Sequence, residues 1–334
     1  MSIPTQRAVI ATTVGGPEVL QYRTEHPVPE PQEGQVLVKN AFSGINFIDT
    51  YFRTGLYPSP KPEILGREAS GVIVGLGPGT GESGLNVGDR VVWLGTSGYA
   101  EYTAVPAART IRIPSGVTDE VAVASFMSGL TALTLTQEAY DVKPGDCILL
   151  HAAAGSVGYL MTQILKSKGA TVIGTVGGPE KVTLVKNLGA DHVIDYRSEE
   201  GKDWPGIVDE ITGGRGVDAV FDSVGKSTWE GSIASVKRKG VIVWFGNASG
   251  PIPPLLLSRL SPKCIKIARP TLFGYIATRD EFQHYSSELF QLLSSGELKV
   301  SIQKVYPLDK ASQAHQDLES RKTVGKLLLK GDIL

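Results

Sequence analysis

The hydrophobic pattern changes period twice along this chain. Residues 6–11, 35–42, 71–75, 90–94, 101–105 and 110–113 are short runs, each bounded by Gly, Pro or Asp. That spacing predicts many short strands of an all-β barrel rather than strand–helix units. Pro27, Pro29 and Pro31 make an extended connector between the first two runs. Near Thr118 the period becomes helical, and residues 121–139 predict one or two helices. Strands and helices then alternate. Residues 147–151 read as a buried strand, 156–168 as a helix, 170–176 as a strand, 180–188 as a helix and 192–194 as a strand. The second half follows with a strand at 219–222, a helix at 228–237 and strands at 240–245 and 265–267. Such a series predicts an α/β doubly wound parallel sheet. Residues 269–276 read as a loop, 278–294 and 308–320 as helices and 324–329 as a strand, closing elements expected to return to the first domain. The expected division is therefore 1–128, 129–267 and 268–334.

The candidate chemistry begins at the first strand of the α/β series. Residues 152–155 form a turn with almost no side chains, and it opens a helix. Backbone N–H groups and the positive helix end then point at one place, which suits a pyrophosphate. Gly155 and Gly158 take the second and third glycine places of G-x-G-x-x-G, Ala153 the first, and Ser156 and Val157 lie between. Taken alone, the motif also describes an empty strand–helix turn. The β–α–β–α–β context favours a dinucleotide.

The second strand ends at Val176-Gly177, where an NAD site would carry an acidic residue. Lys181 follows in the first helical turn, where a cation opposes the helix dipole at a cost of about 0.3–1 kcal/mol. A 2′-phosphate would explain it and favours NADPH. Glu180 leaves NAD open, and a solvated surface lysine is the other reading of Lys181. Tyr196, after the next strand, is placed to cover the adenosine. At a further strand end, Phe245-Gly246-Asn247-Ala248-Ser249 offers N–H groups and short polar side chains to the nicotinamide end, although such residues also make ordinary loops.

Composition narrows the classes. At 334 residues the chain exceeds one core of usual size, and 41% apolar residues suffice to bury two. A formal net charge of −1 forces no basic face toward nucleic acid or membrane. No apolar run reaches transmembrane length, the start lacks a leader pattern and the C-terminus lacks an address signal, so a cytoplasmic protein is expected. Cys147 and Cys264 both sit in apolar runs and read as buried thiols. His26, His151, His192, His284 and His315 are scattered, without metal-ligand spacing, and no zinc site is expected. His151 reads as a satisfied core histidine. A nicotinamide site without a strong acid or a metal favours an acceptor that is already electron-poor, such as a quinone or conjugated carbonyl.

An ordered set of motifs then spans the chain: Gly44-Ile-Asn46-Phe-Ile-Asp49, Arg53-Thr-Gly-Leu-Tyr57-Pro, Gly66-Arg-Glu68-Ala-Ser-Gly71, Gly88-Asp-Arg-Val91 and Gly98-Tyr-Ala-Glu-Tyr102. The run from His151 to Gly158, Asp222-Ser-Val-Gly225, the run from Phe245 to Ser249 and Glu319-Ser-Arg321 complete it. Together these resemble the zeta-crystallin-like, NADPH-dependent quinone oxidoreductases of the medium-chain dehydrogenase/reductase superfamily. The resemblance implies a GroES-like β-barrel catalytic domain from both chain ends, a Rossmann domain between them and an active site in their cleft. It also implies the zinc-independent branch, since the zinc enzymes carry a Cys near Asn46, a His at the place of Arg67 and a four-Cys lobe. Ser156 departs from the pattern, many relatives having a second Gly there. By position, Asn46, Thr131, Gly155, Lys181, Tyr196, Ser223, Phe245, Asn247, Ser249 and Arg321 match cofactor contacts. Asn46, Tyr51, Tyr57 and Thr131 match the residues nearest the quinone, in hydrogen-bonding and pocket-shaping roles. A homodimer through the Rossmann edge strand is implied as well. One-electron and hydride transfer both stay open. So do two rival functions: an alkenal or enone reductase on the same scaffold, and an RNA-binding or structural protein of the zeta-crystallin type.

Overall fold

Alternation of buried and exposed positions lays the first third of the chain into strands, and the last strand of the chain completes their sheet. A computed structural model describes residues 4–331; the leader and address-signal expectations rest partly on 1–3 and 332–334, which lie outside the described residues. Seven strands form the main sheet of the first unit. Ile302–Pro307, Lys326–Lys330, Gln35–Ile45, Glu68–Leu76, Arg90–Leu94 and Thr110–Arg112 lie in that order, and Tyr102–Pro106 pairs with Gln35–Ile45. Lys326–Lys330 runs antiparallel to Gln35–Ile45 with Leu327 opposite Ile45. Leu20–Pro27, Thr5–Ala11 and Glu63–Ile64 make a smaller sheet. Val9, Ile45, Leu65, Tyr99, Leu327 and Leu329 share one core, and Val36, Val38, Ile73, Val91 and Trp93 share another.

Residues Ser128–Ala277 form the second unit; the first comprises the chain up to Met127 and from Thr278 onward. The second boundary thus falls at 277/278 rather than 267/268, because the short helix Leu272–Tyr275 groups with the second unit and the chain crosses only before the long helix Arg279–Ser295. The six-stranded sheet of this unit runs His192–Asp195, Thr171–Val176, Cys147–Leu150, Val217–Asp222, Val236–Trp244, Lys266–Ala268, with every pairing parallel. In chain order that is 3-2-1-4-5-6, the doubly wound arrangement. Leu149, Ile173, Val220 and Ile242 are fully buried in it, each contributing about 1.5–3 kcal/mol of apolar burial.

Several local expectations are corrected. The helix expected at 228–237 spans only Trp229–Ser235, because the chain turns extended at Val236 and begins the strand Val236–Trp244 there. Residues 269–276 are not all loop, since Thr271 caps the helix Leu272–Tyr275. The helix expected at 308–320 is a 3-10 turn, Leu308–Lys310, followed by Ala311–Glu319. Cys264 is exposed, not buried: it ends the 3-10 segment Leu257–Lys263 in a left-handed conformation. The helix Phe47–Thr54 is not among the expected elements: its apolar residues Phe47, Ile48, Tyr51 and Phe52 fall at helical spacing, but over only eight residues, and it also buries Asp49, Thr50 and Arg53. The strand Ile302–Pro307 buries only Tyr306 and so shows no alternation. Among the described residues no helix is long and apolar enough to cross a membrane.

Candidate functional site

Parallel strands deliver their C-terminal ends to one side of a sheet. In the second unit the four neighbouring strands Thr171–Val176, Cys147–Leu150, Val217–Asp222 and Val236–Trp244 therefore gather their following loops. After Leu150, Ala152 adopts a left-handed φ of 53°, an unfavourable conformation for a residue with a Cβ. The Gly155 N–H donates to the Ala152 carbonyl at 2.9 Å, and the Ala153 N–H donates to the Thr175 carbonyl at 3.1 Å, tying the turn to the adjacent strand. A Cβ at Gly158 would collide with the Ala152 carbonyl oxygen and stand 2.7 Å from Ala153 Cα, so only glycine lets the helix start pack this closely. That helix, Ser156–Ser167, has no side-chain cap. Among the described residues no N-cap side chain meets its first N–H groups, those of Ser156, Val157 and Gly158, the arrangement an anion site uses.

At the next strand end Tyr196 and Arg197 fold over Gly177. A Cβ there would lie 2.6 Å from Tyr196 Oη and 2.9 Å from Arg197 Nε. The Tyr196 N–H donates to the Val176 carbonyl at 3.0 Å and the Gly178 N–H to Asp195 Oδ1 at 2.8 Å, which fixes this fold-over. Lys181 stands in the first turn of the helix Pro179–Asn187. Burial, and then the neighbouring Arg197 cation, hold its pKa below the usual lysine value. Two cations beside a positive helix end repel one another, and an anion between them removes the penalty. Arg197 was not among the residues singled out from the sequence. Its signal was its position directly after Tyr196, since an arginine near this strand end is a known way of holding a 2′-phosphate. The residues present thus fit a dinucleotide pyrophosphate at the Gly155–Gly158 turn and a further phosphate at Lys181 and Arg197.

The last two loops interlock. Phe245 N–H donates to the Asp222 carbonyl at 2.9 Å, Ala248 N–H to the Ser223 carbonyl at 3.1 Å and Ser249 N–H to the Val224 carbonyl at 2.8 Å. A Cβ at Gly246 would lie 2.9 Å from Ser223 Cα. Buried Asp222 organises the first loop, accepting from the Val224 and Gly225 N–H groups at 2.8 and 3.1 Å and from the Thr228 and Ser232 hydroxyls at 2.8 and 2.9 Å. Ser223, Phe245, Gly246, Asn247 and Ser249 are thereby brought together, whereas Thr131 lies apart in chain on the helix Asp119–Thr134. His151 is buried, 2.9 Å from the Thr175 hydroxyl and 3.3 Å from that of Ser232. Burial lowers its pKa against the pull of Asp222, which fits a core histidine.

In the first unit Asn46 stands at the N-cap of Phe47–Thr54, and its N–H donates to Asp49 Oδ2 at 2.8 Å. The Tyr51 and Tyr57 rings meet edge-on at 5.2 Å, with Phe47 5.8 Å from Tyr51. Asn46, Tyr51 and Tyr57 therefore share one helix and its following turn. Beneath them a buried polar chain runs across the unit. Arg53 donates to Glu319 through both terminal nitrogens, at 2.9 and 2.7 Å, and contacts His315 Nδ1 at 3.0 Å. Because guanidinium only donates, His315 Nδ1 accepts, and the neutral ring carries its proton on Nε2. Nε2–H then donates to Tyr99 Oη at 3.0 Å, and the Tyr99 hydroxyl donates to Asp49 Oδ2 at 2.9 Å. Arg321 follows the anchored Glu319 closely and takes a left-handed φ of 59°. Among the described residues no three His, Cys, Asp or Glu side chains come together as a metal-binding group.

Comparison with known proteins finds relatives along the whole chain. Residues 32–115 match the alcohol dehydrogenase GroES-like domain family, and residues 156–295 the zinc-binding dehydrogenase family. The chain is 45% identical over 321 residues to a quinone oxidoreductase of Salmonella typhimurium, covering 94% of this chain and 96% of that protein. It is 37% identical over 335 residues to a 2-haloacrylate reductase of Burkholderia sp, covering 96% and 98%. Among solved structures, Escherichia coli quinone oxidoreductase complexed with NADPH is similar with a TM-score of 0.93 and 42% identity, covering 97% of this chain and 99% of that one.

Proposed function

The chain belongs to the quinone oxidoreductases of the medium-chain dehydrogenase/reductase superfamily, and from that membership we propose that it reduces quinones with NADPH. The observation that carries this reading is the convergence, on one side of a doubly wound sheet, of an uncapped helix start with the Lys181 and Arg197 cations. NADPH, when bound, supplies the reducing equivalents. The chain's own residues bind and orient. The N–H groups at Gly155, Ser156, Val157 and Gly158 hold the pyrophosphate, and Ala153 keeps the approach narrow. Lys181 and Arg197 take the 2′-phosphate over Gly177, and Tyr196 covers the adenosine. Ser223, Phe245, Gly246, Asn247 and Ser249 hold the nicotinamide end, with Thr131 on the same unit. In the first unit Asn46, Tyr51 and Tyr57 offer an amide and two phenols to quinone oxygens, and Arg321 offers a cation. These groups position the acceptor and exclude water; none is a strong acid.

The relative that reduces 2-haloacrylate supports a second reading, reduction of an activated double bond. A steady-state panel separates the two. Quinones are expected to exceed 2-alkenals and 2-haloacrylates by at least about tenfold in kcat/KM, with NADPH preferred over NADH. Faster turnover of the alkenes would replace the quinone assignment.

We also propose a homodimer through the edge strand Lys266–Ala268. Ile267 on that edge is 40% exposed, and Leu256 and Leu257 nearby in the chain are 74% and 71% exposed. An open edge flanked by exposed leucines is a surface that association would cover. Sedimentation equilibrium should give the mass of two chains, falling to one in Ile267→Lys. A monomeric wild-type chain would rule the dimer out.

A further inference from the structure

Two buried charges lie against Asn46, and the functions assigned so far give them no task. Lys326 and Glu68 side chains are 1% and 0% exposed, with Nζ and Oε1 2.6 Å apart. Replacing a buried ion pair by an apolar pair of similar volume is often neutral or stabilising, so stability is a weak reason for these charges. Both charges bond to one amide. Lys326 Nζ donates to Asn46 Oδ1 at 2.6 Å, and Asn46 Nδ2 donates to Glu68 Oε1 at 2.8 Å. With an ammonium at its oxygen and a carboxylate at its nitrogen, the amide has one orientation; flipped, both contacts become repulsive. The second hydrogen of Nδ2 meets only a long 3.5 Å contact to the Gly44 carbonyl. Glu68 is itself fixed, because Oε2 accepts the Met127 N–H at 2.8 Å. Gly44 provides the space: a Cβ there would lie 2.7 Å from the Glu68 carboxyl carbon.

We propose that Lys326 and Glu68 are positioning residues that lock the Asn46 amide so that it presents an N–H donor, matched to a carbonyl oxygen of the ligand. This rests on the reading that Asn46 borders the reacting molecules. The pair reaches Asn46 from the strand Lys326–Lys330 and from the strand Glu68–Leu76, so the returning C-terminal strand takes part in the site through its buried ammonium.

The test is a double-mutant cycle in the full chain, with a second readout that needs no turnover. Lys326→Met and Glu68→Gln should each lower quinone kcat about tenfold. Adding Asn46→Ala to either should cost less than about twofold more, because all three act through one group. In protein labelled with 15N at asparagine, without cofactor, exchange of the Asn46 side-chain amide should accelerate about tenfold or more in both single variants. Losses that multiply with Asn46→Ala, or unchanged amide exchange, would overturn the positioning role. Glu68→Gln, equal in volume to the original, guards against a Lys326→Met chain that does not fold. If neither variant folds, the pair is a stability element and the proposal fails. A wild-type chain inactive with every quinone would remove the functional reading while leaving the amide-exchange result to judge the lock.

Discussion

Replacing Lys181 and Arg197 together by alanine is expected to raise the NADPH dissociation constant by at least about 100-fold while changing that for NADH by less than about threefold. Each cation can make a charge-assisted bond to a phosphate, worth about 1.5–3 kcal/mol. NADH lacks that phosphate and loses only a weak nonspecific attraction. The single variants should fall short of multiplying to the double, because the two side chains already interact: Arg197 contributes to the lowered pKa of Lys181. Removing Arg197 alone relieves that repulsion, which returns part of the loss. Fluorescence titration of both cofactors against all four proteins checks this. Equal weakening toward NADPH and NADH would show that the pair holds no 2′-phosphate.

The second large effect concerns acid stability. Burial, then the Arg53 charge, pushes the His315 pKa down from 6.5 to about 3. A base whose folded pKa is depressed contributes stability that is present above its unfolded value and is lost as pH falls below it. Wild type should therefore lose on the order of 3 kcal/mol through His315 between pH 7 and pH 4. Asp49 works the other way. Burial raises its pKa from 3.8 to about 6 despite bonds from Asn46 and Tyr99, so its contribution is present below the unfolded value and is lost as pH rises through 6. The two windows overlap and partly cancel. Urea unfolding of wild type and His315→Gln at pH 7 and pH 4.5 isolates the histidine, since other groups are common to both. The stability advantage of wild type should shrink as pH falls. A difference independent of pH would show that the ring is not held neutral in the chain from Arg53 to Asp49.

Much of the second unit was readable because its signals are local. A buried run, a turn of small residues and a helix follow one another within residues 147–168, and each repeats its own period. Gly158 stands where the close helix approach needs a residue without a side chain. Elements whose buried face is polar escaped the same reading. Phe47–Thr54 buries Asp49, Thr50 and Arg53, and over its eight residues the apolar stripe is too short to stand out from the strand runs around it. Cys264 misled in the opposite sense, since an apolar neighbourhood in sequence ended in an exposed left-handed turn.

Sequence by itself determined the alternation of strands and helices over residues 147–195, the small-residue turn that opens the helix Ser156–Ser167 and the lysine at 181, because covalent spacing and side-chain size set those features over a few residues. Tertiary structure alone decided which distant charges meet. Lys326 reaches Asn46 and Glu68 across most of the chain, and Arg53, His315 and Tyr99 join into one donor chain, only because the last strand pairs with Gln35–Ile45. Arg197 likewise joins Lys181 only because the chain folds back over a residue without a side chain, Gly177. Electrostatic partnership depends on distance and burial, and neither exists until the strands have paired.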